Sequence, residues 1–160
     1  MRAQDYQVLL VSEHESTADY VRGILSSGTD RYRKFSLEHA ASMADLKKRL
    51  GTSAVDAVVL SGGLNGAEMT QLAIRLLELN CDLPIVALID DEREEAAGQM
   101  LATGIQDVLL RSELDTGRLS RALRYAIDRA ATLRELLESE SMLHAILKNL
   151  TEGVIVADRQ

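Results

Sequence analysis

Short apolar runs alternate along this chain with stretches of helical period. "QVLLVS" (7–12) is continuously apolar from Val8 to Val11 and predicts a fully buried strand. From about Ser16 to Leu25, the residues Ala18, Val21, Ile24 and Leu25 fall on one face, as an amphipathic helix requires. "SSGTD" then reads as a turn. "RKFSLEHA" (33–40) predicts a second strand, more polar and suited to a sheet edge. Ser42, with Asp45 three residues on, approximates a capping box for the next helix. "AVDAVVLS" (54–61) is another buried strand, and "AEMTQLAIRLLEL" (67–79) a strongly amphipathic helix. "LPIVALI" (83–89) is the fourth strand, with Pro84 at its start, where a missing donor is tolerated. "DDEREEAAGQMLATG" (90–104) predicts a helix with acids in its first turn and a stop at Gly104. "QDVLLR" (106–111) is the fifth strand, and Ser112 is placed to cap the helix that follows. Five strands alternating with five helices predict a doubly wound α/β domain, its parallel sheet covered on both faces.

The last helix runs on past the length the sheet needs. Leu119, Leu123, Ala126, Ala130, Leu133 and Leu137 step by four and three, the spacing of a heptad seam. The next seam positions, Glu140 and His144, are polar, and an apolar stripe reappears at Leu136, Leu143, Ile146 and Leu150. Such a phase shift resembles a stutter in a coiled coil. A helix of roughly 35 residues would be about 50 Å long, more than one small domain covers, so pairing with a second copy in a homodimer is expected. The run Val154 to Ala157 reads as a short strand. A lone strand has nothing to pair with, so the chain is expected to be cut just inside a second domain.

Composition narrows the function. The chain has 160 residues, 46% of them hydrophobic and 27% charged, with a net charge of −7. That charge, with aromatics at 3% and no Trp, argues against nucleic acid and anionic membranes as partners. No apolar run reaches the roughly 20 residues of a membrane span, and the first residues lack a signal-peptide layout. Cys81 is the one cysteine, which rules out an internal disulfide. A cytoplasmic protein is expected. His39 and His144 are isolated, without metal-ligand spacing, and no serine lies in a hydrolase elbow. Gly62 and Gly63 lack the spacing and lysine of a phosphate loop and read as turn residues.

The order of elements, with "LLVSEHE", "DAVVLSGGLNG", "PIVALID", "GIQDVLLRSEL" and "LSRALRYAIDR", resembles the receiver domain of bacterial response regulators over about residues 5–130. "LHAILKNLTEGVIVADRQ" resembles the linker and first strand of a PAS domain. The resemblance implies a flavodoxin-like five-stranded receiver fold with an extended C-terminal helix. It divides the chain into a receiver-like domain (1–128), a coiled-coil signalling helix (129–150) and the start of a PAS domain (151–160). It also implies a fixed chemistry: an aspartate ending the third strand accepts a phosphoryl group, and two acids after the first strand hold Mg²⁺. A Thr or Ser ending the fourth strand and a Lys ending the fifth then contact the phosphoryl oxygens.

This chain departs from that pattern at nearly every position. The acceptor position is Ser61, the acidic pair is Ser12 and Glu13, the Thr/Ser position is Ile89, the Lys position is Arg111, and the aromatic switch three residues earlier is Val108. A hydroxyl does not replace a carboxylate as acceptor without a base to activate it. Asp56 lies five residues before Ser61, roughly 16 Å away along a strand and on the other face. Asp90 and Asp91 read as helix N-terminal acids, and His14 as solvent-facing. Glu13 and Arg111 are expected to pair across the altered site. The resulting expectation is a non-catalytic, phosphorylation-independent pseudo-receiver with no cofactor. It would dimerise and relay a signal through its last helix to PAS and output domains in the same chain, under the influence of a signalling protein partner. Two alternatives stay open: a conventional phospho-accepting receiver, and a sensor holding a small anion or nucleotide over the strand tips with Arg111 and the Gly62 and Gly63 amides.

Overall fold

A computed structural model describes residues 5–27, 34–61, 66–80, 82–90 and 94–157. The chain divides into two units, Met1–Ile127 and Asp128–Gln160. The first holds strands β1 (Tyr6–Val11), β2 (Phe35–Ala40), β3 (Ala57–Ser61), β4 (Ile85–Ile89) and β5 (Asp107–Leu110). Between them lie helices α1 (Glu15–Ser26), α2 (Met43–Thr52), α3 (Gly66–Leu79) and α4 (Glu94–Ala102). A 3₁₀ turn, Arg111–Glu113, leads to α5 (Thr116–Ala157).

All four strand pairings are parallel, in the order β2-β1-β3-β4-β5. Every residue of β3 and β4 is buried, as their unbroken apolar sequence requires for interior strands. The more polar β2 lies at one edge, where the sequence placed it. Alternate residues divide the core into two layers. Leu9, Val58, Leu60 and Ile85 pack with Leu46 of α2, Leu76 of α3 and Met100 of α4. Val8, Leu10, Val59 and Val86 pack with Val21 of α1 and with Leu119, Leu123 and Ala126 of α5.

Local signals hold at several boundaries. Ser42 Oγ accepts from the Asp45 N–H at 3.2 Å and caps α2. Gly104, at φ +106°, takes the left-handed turn after α4, where an added Cβ would meet Leu77 Cδ1 at 3.1 Å. Asp56 lies at the opposite end of β3 from Ser61, where its carboxylate accepts from the Gln7 N–H at 2.7 Å.

The structure corrects three expectations. Ser112 does not cap the last helix, because it lies inside the 3₁₀ turn. Asp115 is the cap: its Oδ1 accepts from the Arg118 N–H at 2.7 Å and its carbonyl from the Leu119 N–H at 3.1 Å. Val154–Ala157 is helical, not a strand, since α5 continues through it. An apolar run with no strand beside it satisfies its backbone by staying in the helix. Leu119, Leu123 and Ala126, read as the start of a dimer seam, are buried in the unit's own core and are closed to a second chain. Ala130 is half-buried, and Leu133 and Leu137 are exposed. Gly62, Gly63, Cys81 and Asp91 lie outside the described residues.

Candidate functional site at the strand tips

The strand order reverses between β1 and β3, whose C-terminal ends therefore flank the crevice where doubly wound sheets place their ligands. Ser12 follows β1, Ser61 ends β3, Ile89 ends β4 and Arg111 follows β5. All four sequence-selected positions reach this one end of the sheet because the strands run parallel.

Ser61 is fully buried. An Nη2–H of Arg111 donates to Ser61 Oγ at 2.9 Å. The same guanidinium uses Nε to reach Asp90 Oδ1 at 3.3 Å. One planar cation thus ties the tips of β3, β4 and β5 together through two of its donor directions. The sheet register explains the second contact. Ile89 and Leu110 are paired across β4 and β5, so Asp90 and Arg111 each sit one residue past that pair. Opposite charges at neighbouring strand ends are the signal that the sequence held and that a reading of Asp90 as a helix acid overlooked.

Glu13 does not pair with Arg111. It is exposed, and the arginine turns inward to Ser61 and Asp90. Burial of Ser61 draws the arginine there, because a buried hydroxyl without a partner is costly. Ser12 is also buried, and its hydroxyl is committed to the backbone of His14: Oγ accepts from the His14 N–H at 3.2 Å and lies 3.3 Å from its carbonyl. His14 itself is exposed. His39, which the sequence left without a role, donates from Nε2 to the Ser12 carbonyl at 2.8 Å. It thereby fixes the β1 tip to β2. Ile89 is buried in the apolar layer, and Val108 packs half-buried against it.

Among the described residues, the donor set does not match a Mg²⁺-assisted phosphoryl site. Mg²⁺ is held by carboxylates and waters in near-octahedral geometry. Here the β3 tip offers a hydroxyl facing a guanidinium, the β1 tip a hydroxyl turned to its own backbone, and the one acid beside it is exposed. Among the described residues, no cluster of three or more His, Cys, Asp or Glu side chains is arranged to hold a metal. No helix among them is long and apolar enough to cross a membrane.

No protein-family model matches the chain, and no curated protein matches it. Solved structures do. NtrX from Brucella abortus superposes with a TM-score of 0.70 at 18% identity, over 84% of this chain and 29% of that one. Full-length FixJ from B. japonicum gives 0.66 at 17% identity, over 83% of this chain and 63% of that one. A response regulator receiver domain protein from Clostridium thermocellum gives 0.64 at 15% identity, over 80% of this chain and 98% of that one. The chain therefore spans under a third of NtrX and somewhat under two thirds of FixJ, but nearly the whole of a solved receiver domain. Its fold is that of the response regulator receiver domains: a flavodoxin-like five-stranded parallel sheet, followed by a long C-terminal helix.

Proposed function

We propose that this chain is a non-catalytic receiver-fold module that regulates without being phosphorylated, inside a larger two-component signalling protein. The observation that carries the reading is the 2.9 Å hydrogen bond from Arg111 to Ser61. A serine needs a base to become a nucleophile. The partner of this hydroxyl among the described residues is a permanent cation that donates to it. Among the described residues, Asp90 is held by Arg111, His39 by the Ser12 carbonyl, and His14 and Glu13 are exposed. The fold is thus kept as a scaffold whose input is a partner rather than a phosphoryl group.

Its output would pass along α5. That helix begins in the core of the first unit, through Leu119 and Leu123, and makes up the described part of the second. A pair of such helices offers discrete packings, so a change at the receiver core is passed on as a change of register or rotation. The module would work as a homodimer and deliver its signal to PAS and output domains in the same cytoplasmic chain.

The test is exposure of the full chain to acetyl phosphate with Mg²⁺, followed by intact-mass measurement. No phosphoryl adduct is expected. An adduct that disappears in Ser61→Ala would overturn the reading and make the chain a phospho-accepting receiver.

A further inference from the structure

The large apolar side chains described in the second unit lie on one helix and are exposed. Eight large ones fall between Leu133 and Leu150. Described by itself, this unit has no other element among its described residues to cover them. The stripe that begins at Leu119 fails here, since it runs through Glu140 and then His144. A different register fits. Leu133, Leu136, Glu140, Leu143, Leu147 and Leu150 are spaced three, four, three, four, three, the alternation of a and d positions in successive heptads. Its five leucines are between 53% and 64% exposed.

The charges sort themselves by the same register. Arg134 and Lys148 take b positions, Glu135 a c position, and Glu138 and Glu152 f positions, all on the outer side of a heptad helix. Glu140 is the one charged residue on the seam between Leu133 and Leu150. Leu137 and Ile146 flank the seam at e and g and widen it. The seven exposed seam and flanking side chains are each between 44% and 64% exposed, a continuous apolar strip that the same strip of a second copy can bury.

We propose that this face closes on the same face of a second copy of this chain, with Leu133, Leu136, Leu143, Leu147 and Leu150 as the seam and Glu140 as its single charged layer. The proposal rests on the dimer in the reading above and specifies its surface. A heptad stripe with every other charge turned outward is self-complementary: the surface that needs cover is the surface that supplies it. A lone polar residue at an a position lowers the stability of such a pair while fixing its register. Glu140 has that place. It would keep the pair loose enough for a signal to shift it.

Sedimentation equilibrium of the full chain tests this with three variants. Leu143→Glu, on the seam, is expected to weaken dimerisation by about a hundredfold or more. Met142→Glu adds the same charge one residue away, at an outer c position where the side chain is 67% exposed, and is expected to change it less than about threefold. Glu140→Leu is expected to tighten it by about tenfold or more. Circular dichroism confirms that each variant is folded. A wild-type chain that stays monomeric overturns both the dimer and the seam and leaves the face to another protein. A wild-type dimer that Leu143→Glu and Met142→Glu affect alike overturns the seam and leaves the dimer standing.

Discussion

Arg111 hydrogen-bonds Ser61 Oγ at 2.9 Å across 50 residues of sequence, joining the end of β3 to the residue after β5. The contact makes the tip of β3 part of a structural tie. The guanidinium side chain is one-third exposed and holds Asp90 as well, so removing either partner has a bounded cost. Ser61→Ala is expected to lower stability by about 1 kcal/mol or less, because the arginine keeps Asp90 and water. Arg111→Met is expected to cost about 1–3 kcal/mol, since it strands a buried hydroxyl. Chemical denaturation of the two single variants and the double variant measures the coupling. An absent coupling would show that the contact does not persist in solution.

The two halves of α5 should respond unequally to the same substitution. Leu123 is fully buried against the sheet, whereas Leu137 is about half exposed. Leu123→Ala is expected to lower the stability of the sheet unit by about 2–5 kcal/mol. Leu137→Ala is expected to leave it within about 0.5 kcal/mol. Hydrogen exchange of the β3 and β4 amides reads that unit specifically. Equal effects would contradict the division of the helix at Ile127.

Asp115 closes the first turn of α5 through its side chain and its carbonyl. Asp115→Ala is therefore expected to cost about 1 kcal/mol, and Ser42→Ala at the start of α2 a similar amount. Asp115→Asn should restore most of the loss, as amide and carboxylate oxygens both accept from the N3 amide. Thermal denaturation of the three variants checks the order.

Gly104 has φ +106° and little room for a side chain. Gly104→Ala is expected to cost about 1–3 kcal/mol, combining backbone strain with the approach to Leu77 Cδ1. A stabilising effect, as glycine removal gives where the backbone is compatible, would show that the turn after α4 differs from the one described.

Much of this molecule was legible in order. The strands at "QVLLVS", "AVDAVVLS" and "LPIVALI", the polar edge strand, the Ser42 cap and the Gly104 stop are local features. Each follows from periodicity, burial or a single residue's backbone preference, and those act within a few residues. The serine at the tip of the third strand was equally plain, because the run of strands fixed which residue stood at each tip.

What the Ser61 hydroxyl contacts was not legible. From sequence, Arg111 was expected to pair with Glu13 at the β1 tip, and Asp90 read as a helix acid. The parallel register put Asp90 beside Arg111, and the burial of Ser61 made its hydroxyl the place where a donor was needed. The same holds for the last helix. A stripe from Leu119 to Leu137 is one pattern in sequence, yet Leu119, Leu123 and Ala126 are the domain's own core while Leu133 and Leu137 are exposed. Apolar spacing specifies which residues seek cover. Which surface covers them is decided only when the sheet has formed and its own demand for apolar side chains has been met.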